Sequence, residues 1–305
     1  MIIKIYLYFF IYAFLGWCVE VIYAALKEGK FINRGFLNGP LCPIYGFGVV
    51  AVVNFLKPVQ DNFFLLFIGS VFIASAIELI TGFVLEKIFH QKWWDYSEVP
   101  FNIGGYICPL FSLMWGIACL VVVEQIHPMI VNLVDFIPET FSIIILIIST
   151  IVLAIDLVAT VKTILKLNKK LEIIEELSAM IRKSSDELGE NLATGVIALS
   201  VKKDELEEIA EQKKEEIEEK INKKKETVKL NNIVRKQRLG DALEHREHAL
   251  AELRKSYREH MEASIFGQKR LLKAFPGIKS TLHKEALEKL KNHIFKMKEK
   301  DDSEN

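Results

Sequence analysis

The first half of this chain is almost empty of basic residues. Residues 1–161 hold only seven of the thirty-nine Lys and Arg residues in a chain of 305 residues. The formal net charge is nevertheless zero, because the other bases and most of the acids lie after Val161. Such an abrupt change of composition marks a domain boundary. We therefore predict two domains, one of residues 1–161 and one of residues 162–305.

The chain also lacks the residue patterns of metal, nucleotide and catalytic sites. Its four cysteines show no Cys-x-x-Cys or Cys/His spacing, so we expect neither a disulfide framework nor a metal site. No Gly-x-x-x-x-Gly-Lys-Ser/Thr loop occurs, which excludes P-loop ATP hydrolysis by this chain. No Ser, His and Asp set is tied together by spacing. We expect no catalytic residues, no cofactor and no enzymatic activity of its own.

What the first domain has instead is long apolar runs. A hydrocarbon core about 30 Å thick requires roughly 20 helical residues. Five segments reach or approach that length, namely residues 5–26, 40–57, 63–86, 105–124 and 141–161. We predict an all-α, polytopic membrane helix bundle with about five transmembrane helices, followed by a long, charged, cytoplasmic helical tail.

Lys and Arg near the predicted helix ends give the orientation, because cytoplasmic loops carry an excess of both. The loop after the first helix holds three and the loop after the third holds two, whereas residues 124–140 hold none. We therefore predict that the N-terminus lies outside the cell and that the tail lies in the cytoplasm.

Two stretches, "FLNGPLCPIYGFG" (36–48) and "NIGGYICPLFSLM" (102–114), resemble each other. Superposing their Cys-Pro pairs also aligns two glycines, and each stretch follows a helix with a glutamate, Glu20 in the first and Glu78 in the second. This pattern predicts a duplicated helical hairpin with both copies running in the same direction. Chance similarity between two helix starts rich in Gly and Pro is the alternative.

Charged residues inside the apolar runs predict a site. Glu20, Glu78 and Asp156 lie within predicted helices, where a carboxylate costs about 2.5–3.5 kcal/mol on insertion scales. We predict that they line one acidic cavity open to the cytoplasm. Arg34 lies in the adjoining loop, and its guanidinium could pair through two hydrogen bonds with the carboxylate of Glu20, Glu78 or Asp95. In the alternative, Arg34 only anchors the orientation and the carboxylates only join helices.

Both cytoplasmic loops contribute further candidates. Asn side chains can satisfy a backbone that has left helical geometry, and such a backbone is tolerated near hydrocarbon only where protein or a wet cavity covers it. Aromatic residues there are also common at membrane interfaces. The candidates for the cavity or substrate site are Trp17, Glu20, Asn33, Arg34, Asn38, Tyr45, Glu78, Trp94, Asp95, Tyr96, Asn102 and Asp156.

Four stretches together resemble a known family. "FLGWCVE", "NRGFLNGPLCPIYGFG", "WWDYSEVPFN" and "ICPLFSLMWG" are similar to the putative ABC-transporter type IV family, also called CmpB-like ABC transporter permeases, over roughly residues 5–157. The resemblance implies a multi-pass protein of the bacterial cell membrane that acts in transport, with any ATPase on a separate chain. It implies no catalytic or substrate residues. Gly104–Tyr106 departs from the family pattern, which has an arginine after the glycine, so a symmetric pair of Arg sites is not expected.

The tail is typical of long helices. Ala, Glu, Lys and Leu dominate, and the tail contains no proline before Pro276. A heptad spacing begins at Leu243 and favours a short coiled coil or a helical hairpin. The segment "GQKRLLKAFPG" (267–277) fits docking on the membrane domain, contact with the anionic leaflet, or a solvated helix end; similar endings in CmpB-like chains favour docking. Acids nearly balance bases, so we do not expect nucleic-acid binding.

These features favour a transport function. The first hypothesis is a permease subunit whose acidic cavity suits a cation or a cationic solute. Its expected partners are membrane lipid, a separate ATP-binding subunit and further copies of itself, since five helices are few for a complete transporter. The alternative is a membrane scaffold or sensor whose helical tail recruits partners. An enzyme acting on lipid head groups through Glu20 and Asp95 is the least favoured hypothesis.

Overall fold

The computed structural model of the protein describes residues 2–212, 240, 242 and 244–303. Most of these residues are helical, which confirms the all-α prediction, and the strands among them are two residues long. Two compact units are present, one of Met1–Leu171 with Ser264–Asn305 and one of Glu172–Ala263. The boundary at Val161, placed by composition, stays a prediction.

The first unit is built on two antiparallel helical hairpins, the first of α1 (Ile2–Glu28) and α2 (Pro43–Phe55) and the second of α3 (Phe63–Phe89) and α4 (Pro109–Val121). They are followed by α5 (His127–Phe136) and the start of α6 (Glu139–Gln212). A short 3₁₀ helix, Lys57–Val59, follows α2. α1 packs on α2, α2 on α3 and α3 on α4. The first loop (residues 29–42) and the second loop (residues 90–108) therefore lie at the same end, which we call the loop face.

Four helical stretches are long and apolar enough to cross a membrane, where about five were predicted. They are Ile2–Glu28, Phe63–Phe89, Pro109–Phe136 and Glu139–Glu187. α2 is equally apolar, but its 13 residues rise only about 20 Å, which is less than the hydrocarbon thickness. Most apolar side chains of these stretches point outward, as expected for helices that face lipid.

One predicted loop is helical. Residues 124–140 were expected to form an outer loop because they lie between the predicted spans 105–124 and 141–161 and hold no Lys or Arg. Instead, α4 continues through a π-helical turn (Val122–Ile126) into α5. Pro128 sits in the first turn of α5, two residues after the π-helical turn ends, so the change of helical hydrogen bonding falls next to the proline. The chain leaves the helix only at Ile137, just before Pro138.

The C-terminal residues of the first unit lie on the loop face. They form α8 (Gln268–Ala274), the strand β2 (Lys279–Ser280) and α9 (Lys284–Ser303), and β2 pairs antiparallel with β1 (Gln91–Lys92) of the second loop. Of the three possibilities for residues 267–277, the structure therefore confirms docking.

The second unit contains the last part of α6 and α7, a helix over residues 244–262. The predicted heptad pattern begins at Leu243, which lies outside the described residues.

Close helix packing depends on a glycine where α2 meets α1. A Cβ atom on Gly46 would lie 2.6 Å from the carbonyl oxygen of Phe9, whereas a Cβ atom on Gly48 would meet nothing within 4 Å. At the corresponding place in the other hairpin, the Ser75 hydroxyl donates to the Ser112 hydroxyl at 2.8 Å. In the first hairpin, α2 thus packs on α1 through direct backbone contact at Gly46. In the second, α4 is joined to α3 by the hydrogen bond between Ser75 and Ser112.

We predict that Gly46→Ala lowers the thermal stability of the protein, because the added methyl group collides with a backbone atom that cannot rotate away. Overpacking of this kind costs about 1–3 kcal/mol. Gly48→Ala is the matched control on the same helix, and its greater helix propensity should leave stability unchanged or slightly higher. Thermal unfolding of both purified variants in one detergent, followed by Trp fluorescence, tests this. Equal midpoints for the two variants would contradict it.

Candidate functional site

Glu20 and Arg34 form an ion pair at the loop face. The Arg34 Nε atom lies 3.0 Å from Glu20 Oε2, and the Tyr45 hydroxyl donates to Glu20 Oε1 at 2.6 Å. The Arg34 guanidinium also lies over the Tyr23 ring, 4.7 Å from its centroid. The predicted carboxylate partner of Arg34 is therefore Glu20, among the three that were proposed.

Two asparagines hold the backbone of the first loop. Trp17 Nε1 donates to Asn33 Oδ1 at 2.7 Å, and Asn33 Nδ2 donates to the carbonyl oxygen of Asn38 at 2.6 Å. The prediction that Asn side chains satisfy this non-helical stretch is thus confirmed for Asn33, and Trp17 fixes its orientation.

Asp156 of α6 binds the same loop from the other side. The backbone N–H and the Nδ2 of Asn38 each donate to Asp156 Oδ1 at 3.0 Å, and the N–H of Gly39 donates to Oδ2 at 2.6 Å. Thr160, one turn along α6, accepts a further bond from Asn38 Nδ2 at 3.0 Å. Both oxygens of Asp156 are therefore occupied by the protein itself.

Arg270 of α8 completes the coordination of the first loop. Its Nη1 donates to the carbonyl oxygens of Gly35 and Leu37, both at 2.8 Å, and its Nη2 donates to that of Phe36 at 3.1 Å. Burial lowers the pKa of Arg270, an effect that nearby Asp156 opposes. Three consecutive carbonyl groups thus share one guanidinium, which the sequence did not predict.

Trp93 fills the space between the first loop and the C-terminal residues. It is 5% exposed, and its ring lies edge-on to Phe36 at 5.2 Å and to Phe275 at 4.9 Å. Trp94 instead donates its Nε1–H to the carbonyl oxygen of Tyr106 at 2.9 Å. Trp93, which was not proposed as a site residue, is therefore the buried contact between the first loop and the C-terminal residues, and Trp94 is not.

Asp95 serves the docked strand rather than a cavity. Lys279 Nζ donates to Asp95 Oδ2 at 2.7 Å, and the N–H and hydroxyl of Ser97 donate to Oδ1. Burial acts to raise the pKa of Asp95, but the bonds from Lys279 and Ser97 outweigh it and lower that pKa to about 2. Asp95 does not join Glu20 and Arg34.

Asn102 shapes the second loop internally. Its Nδ2 donates to the carbonyl oxygen of Val99 at 2.8 Å, and its Oδ1 accepts from the N–H of Gly105 at 3.0 Å. Gly105 has a φ of +75°, a conformation that favours glycine. Asn102 therefore has a structural part in the loop.

Glu78 is the most isolated of the candidate carboxylates. Its side chain lies within α3 and the residue is 8% exposed. The Tyr96 hydroxyl donates to Oε1 at 3.1 Å, and burial together with the Glu78 charge raises the pKa of Tyr96. The buried Oε2 finds no hydrogen-bond partner in the described part of the chain.

Trp115 of α4 connects the two groups of candidates, although the sequence did not single it out. Its ring lies edge-on to Tyr45 at 5.6 Å, and it also approaches the Glu78 carboxyl. Tyr45 in turn binds Glu20. The structure therefore brings Glu20, Arg34, Tyr45, Glu78 and Tyr96 into one continuous polar region around Trp115.

The structure supports the predicted duplication but corrects the glutamate that was paired with Glu20. α2 and α4 have 13 residues each and begin at a proline after a cysteine. The offset that places Cys42 on Cys108 places Gly16 on Gly82 and Glu20 on Glu86, not on Glu78. The sequence signal for this pairing is the Gly-x-x-x-Glu pattern that α1 and α3 share, Gly16 to Glu20 and Gly82 to Glu86.

Glu86 has partners of the same kinds as Glu20. It accepts from the Tyr106 hydroxyl at 2.7 Å and pairs with Lys92 at 3.8 Å, as Glu20 does with Tyr45 and Arg34. Lys92 is thus the cation of the second hairpin, in which no second Arg was expected. Glu78 has no acidic counterpart in the first hairpin, because Tyr12 takes that position.

The apolar helices define a multi-pass α-helical membrane protein. A family model described as putative ABC-transporter type IV matches residues 7–161, and the chain belongs to this family. The predicted resemblance is thus confirmed. Comparison with curated proteins and with solved structures finds no match for the chain.

We predict that Arg270→Ala releases the C-terminal residues from the loop face. The change leaves three loop carbonyl groups without their charged donor, and a bond to a charged group contributes about 1.5–3 kcal/mol. Lys269→Ala removes an exposed charge from the neighbouring position and is the control. Limited proteolysis of the full chain should cut within residues 264–283 faster for Arg270→Ala only. Equal cleavage rates in both variants would refute the anchoring role.

We predict that the contact between Asp95 and Lys279 is insensitive to pH between about 5 and 9. The pKa of Asp95 is depressed to about 2, so its stabilisation is complete above about pH 4 and is lost only towards pH 2. The hydrogen bond from Lys279 to Asp95 raises the pKa of Lys279, so its stabilisation is lost only above about pH 10.5.

The measurement for this contact is hydrogen exchange at Thr281, whose N–H donates to the carbonyl oxygen of His90 at 2.9 Å. Its protection, corrected for intrinsic exchange, should stay constant across this pH range. Asp95→Asn should lower it equally at every pH. A titration of protection near neutral pH would show that another group controls docking.

Proposed function

We propose that this chain is the membrane-spanning subunit of a transport system and that Glu78 binds its cation or cationic solute. The observation that carries the proposal is the unmet oxygen of Glu78. Among the three carboxylates proposed for one cavity, Glu20 is held by Arg34 and Tyr45, and both oxygens of Asp156 accept bonds from the first loop. Glu78 alone of these three retains an oxygen without a close hydrogen bond among the described residues, with only Trp115 approaching the carboxyl.

The surroundings of Glu78 suit a positive charge. A buried polar atom without a partner is uncommon in folded proteins and calls for an explanation, and an acidic group within a membrane helix points to a transport pathway. Tyr96 and Trp115 lie beside it and direct polar groups towards the carboxyl, so the site is not purely apolar. A bound cation would neutralise the carboxylate and coordinate its free oxygen.

Energy for transport would come from another chain. Family membership supports an ATP-binding partner, and this sequence has no P-loop of its own. With the proposed orientation, N-terminus outside and loop face in the bacterial cytoplasm, that partner would meet the two loops and the C-terminal residues. Four candidate spans also favour assembly of more than one copy. The chain itself would then have no enzymatic activity.

Labelling with dicyclohexylcarbodiimide, which modifies carboxyl groups in apolar surroundings, tests the Glu78 site. In the purified full-length protein we expect the label on Glu78, and we expect at least one of Na⁺, K⁺ and choline to slow labelling by about tenfold. Glu20→Gln should retain this protection, whereas Glu78→Gln should take up no label at this position. Labelling that none of the three cations slows would refute a cation site at Glu78.

A scaffold or sensor is the second candidate function, and the docked C-terminal residues favour it. Arg270, Lys279 and Phe275 tie them to both loops, so the cytoplasmic tail could report on the membrane domain. Pull-down of partners by the full chain separates the two functions. A scaffold should lose partners in Arg270→Ala and keep them in Glu78→Gln. A transporter should lose cation flux in Glu78→Gln while still binding its partner.

A further inference from the structure

A cleft of about 480 Å³ lies at the end of the first unit opposite the loop face. It is bounded by the start of α1, the end of α2 and the π-helical turn with α5. Its floor is apolar: the part-exposed side chains of Ile5, Leu56 and Val131 face the cleft, and Val52 and Leu66 lie fully buried beneath them. Its exposed edge is polar and includes Asn54, Lys57 and Asn132. The cleft is therefore amphipathic, with an apolar floor and a polar rim.

One cation at this rim is available for a ligand. Two lysines line the cleft, Lys4 and Lys57. Lys4 Nζ is paired with Asp135 at 2.5 Å. Lys57 has no carboxylate partner in the part of the chain that the structure describes. The rim therefore offers an unneutralised ammonium group directly above the apolar floor, which is the charge pattern that attracts an anionic amphiphile.

One wall of the cleft contains a π-helical turn. The π-helical turn Val122–Ile126 precedes His127, and turns of this type occur frequently at functional sites. His127 Nδ1 lies 2.9 Å from the Tyr12 hydroxyl, and its ring meets Tyr8 edge-on at 5.1 Å. Val123, His127 and Tyr8 all line the cleft. The extra residue of the π turn thus sets the face of the helix that borders it.

We propose that this cleft binds one anionic phospholipid, with an acyl chain along the part-exposed side chains of Ile5, Leu56 and Val131 and the phosphate at Lys57. A lipid is the occupant because the cleft lies between membrane-spanning stretches, where acyl chains are the surrounding solvent. The anionic head group follows from the unpaired ammonium group, since basic residues near a bilayer surface attract acidic lipids. This site is separate from the region around Glu78 and does not depend on transport.

Native mass spectrometry of the full-length protein tests the site, with phosphatidylglycerol and phosphatidylcholine as probes. We expect one phosphatidylglycerol to remain bound per chain, with at least about fivefold weaker retention of phosphatidylcholine. Lys57→Glu should weaken phosphatidylglycerol binding by about tenfold. Lys57→Arg should restore it, because the charge is kept. Lys27→Glu makes the same charge reversal on α1 at the loop face and should leave binding unchanged.

Three outcomes would overturn the proposal. Equal retention of the two lipids would remove the need for an anionic head group. Equal loss in Lys57→Glu and Lys27→Glu would indicate general attraction of acidic lipid to a basic protein. Displacement of the lipid by glycerol phosphate at the same concentration would show that the phosphate binds without its acyl chain. Lys57 is exposed, so its variants should insert and fold as the parent chain does.

Discussion

The backbone of residues 35–39 leaves helical geometry beside apolar helices, and two opposite charges make this possible. Asp156 accepts the N–H groups of Asn38 and Gly39, while Arg270 donates to the carbonyl groups of residues 35–37. Near hydrocarbon, each such group without a partner would cost several kcal/mol. The first loop therefore keeps its shape because an acid from α6 and a base from α8 bind adjacent stretches of it.

The fixed loop in turn positions the polar region beside it. Arg34 is held where it can meet Glu20, and Asn33 is held by Trp17. These groups are partners of one another. Glu78 takes no part in these contacts, and its Oε2 atom has no hydrogen-bond partner among the described residues. The protein thus contains carboxylates whose two oxygens are both bound, Glu20 and Asp156, and one, Glu78, with a single hydrogen bond from Tyr96 among the described residues.

The sequence predicted the parts of this arrangement that rest on local chemistry. Burial of charge indicated Glu20, Arg34 and Asp156 as residues that need partners, and Gly and Pro marked the first loop as non-helical. It could not predict that Asp156 would bind Asn38, or that Arg270 would reach the same loop, because these contacts join segments more than a hundred residues apart. Tertiary packing, rather than any local pattern, selects those partners.

Two other sequence predictions needed correction for physical reasons. Residues 124–140 were expected to form an outer loop because they lie between two predicted spans, but a π-helical turn at Val122–Ile126 carries the helical path on into α5. The apparent match of Glu20 with Glu78 came from counting acids rather than from register. Once register is fixed at the Cys-Pro starts, Gly82 and Glu86 are the counterparts of Gly16 and Glu20. Glu86 also binds a tyrosine and a cation, but Tyr106 and Lys92 lie outside the register of Tyr45 and Arg34.

The dependence of the first loop on Arg270 has a consequence for biogenesis. A ribosome that adds about 5–20 residues per second synthesises residues 35–39 roughly 12–46 seconds before Arg270. Until then three carbonyl groups of the loop have water or lipid head groups as their only alternatives. The membrane helices can insert early, but the loop face reaches its final form only after translation is nearly complete. A prematurely terminated chain would therefore carry an unfinished loop that quality-control proteases can recognise.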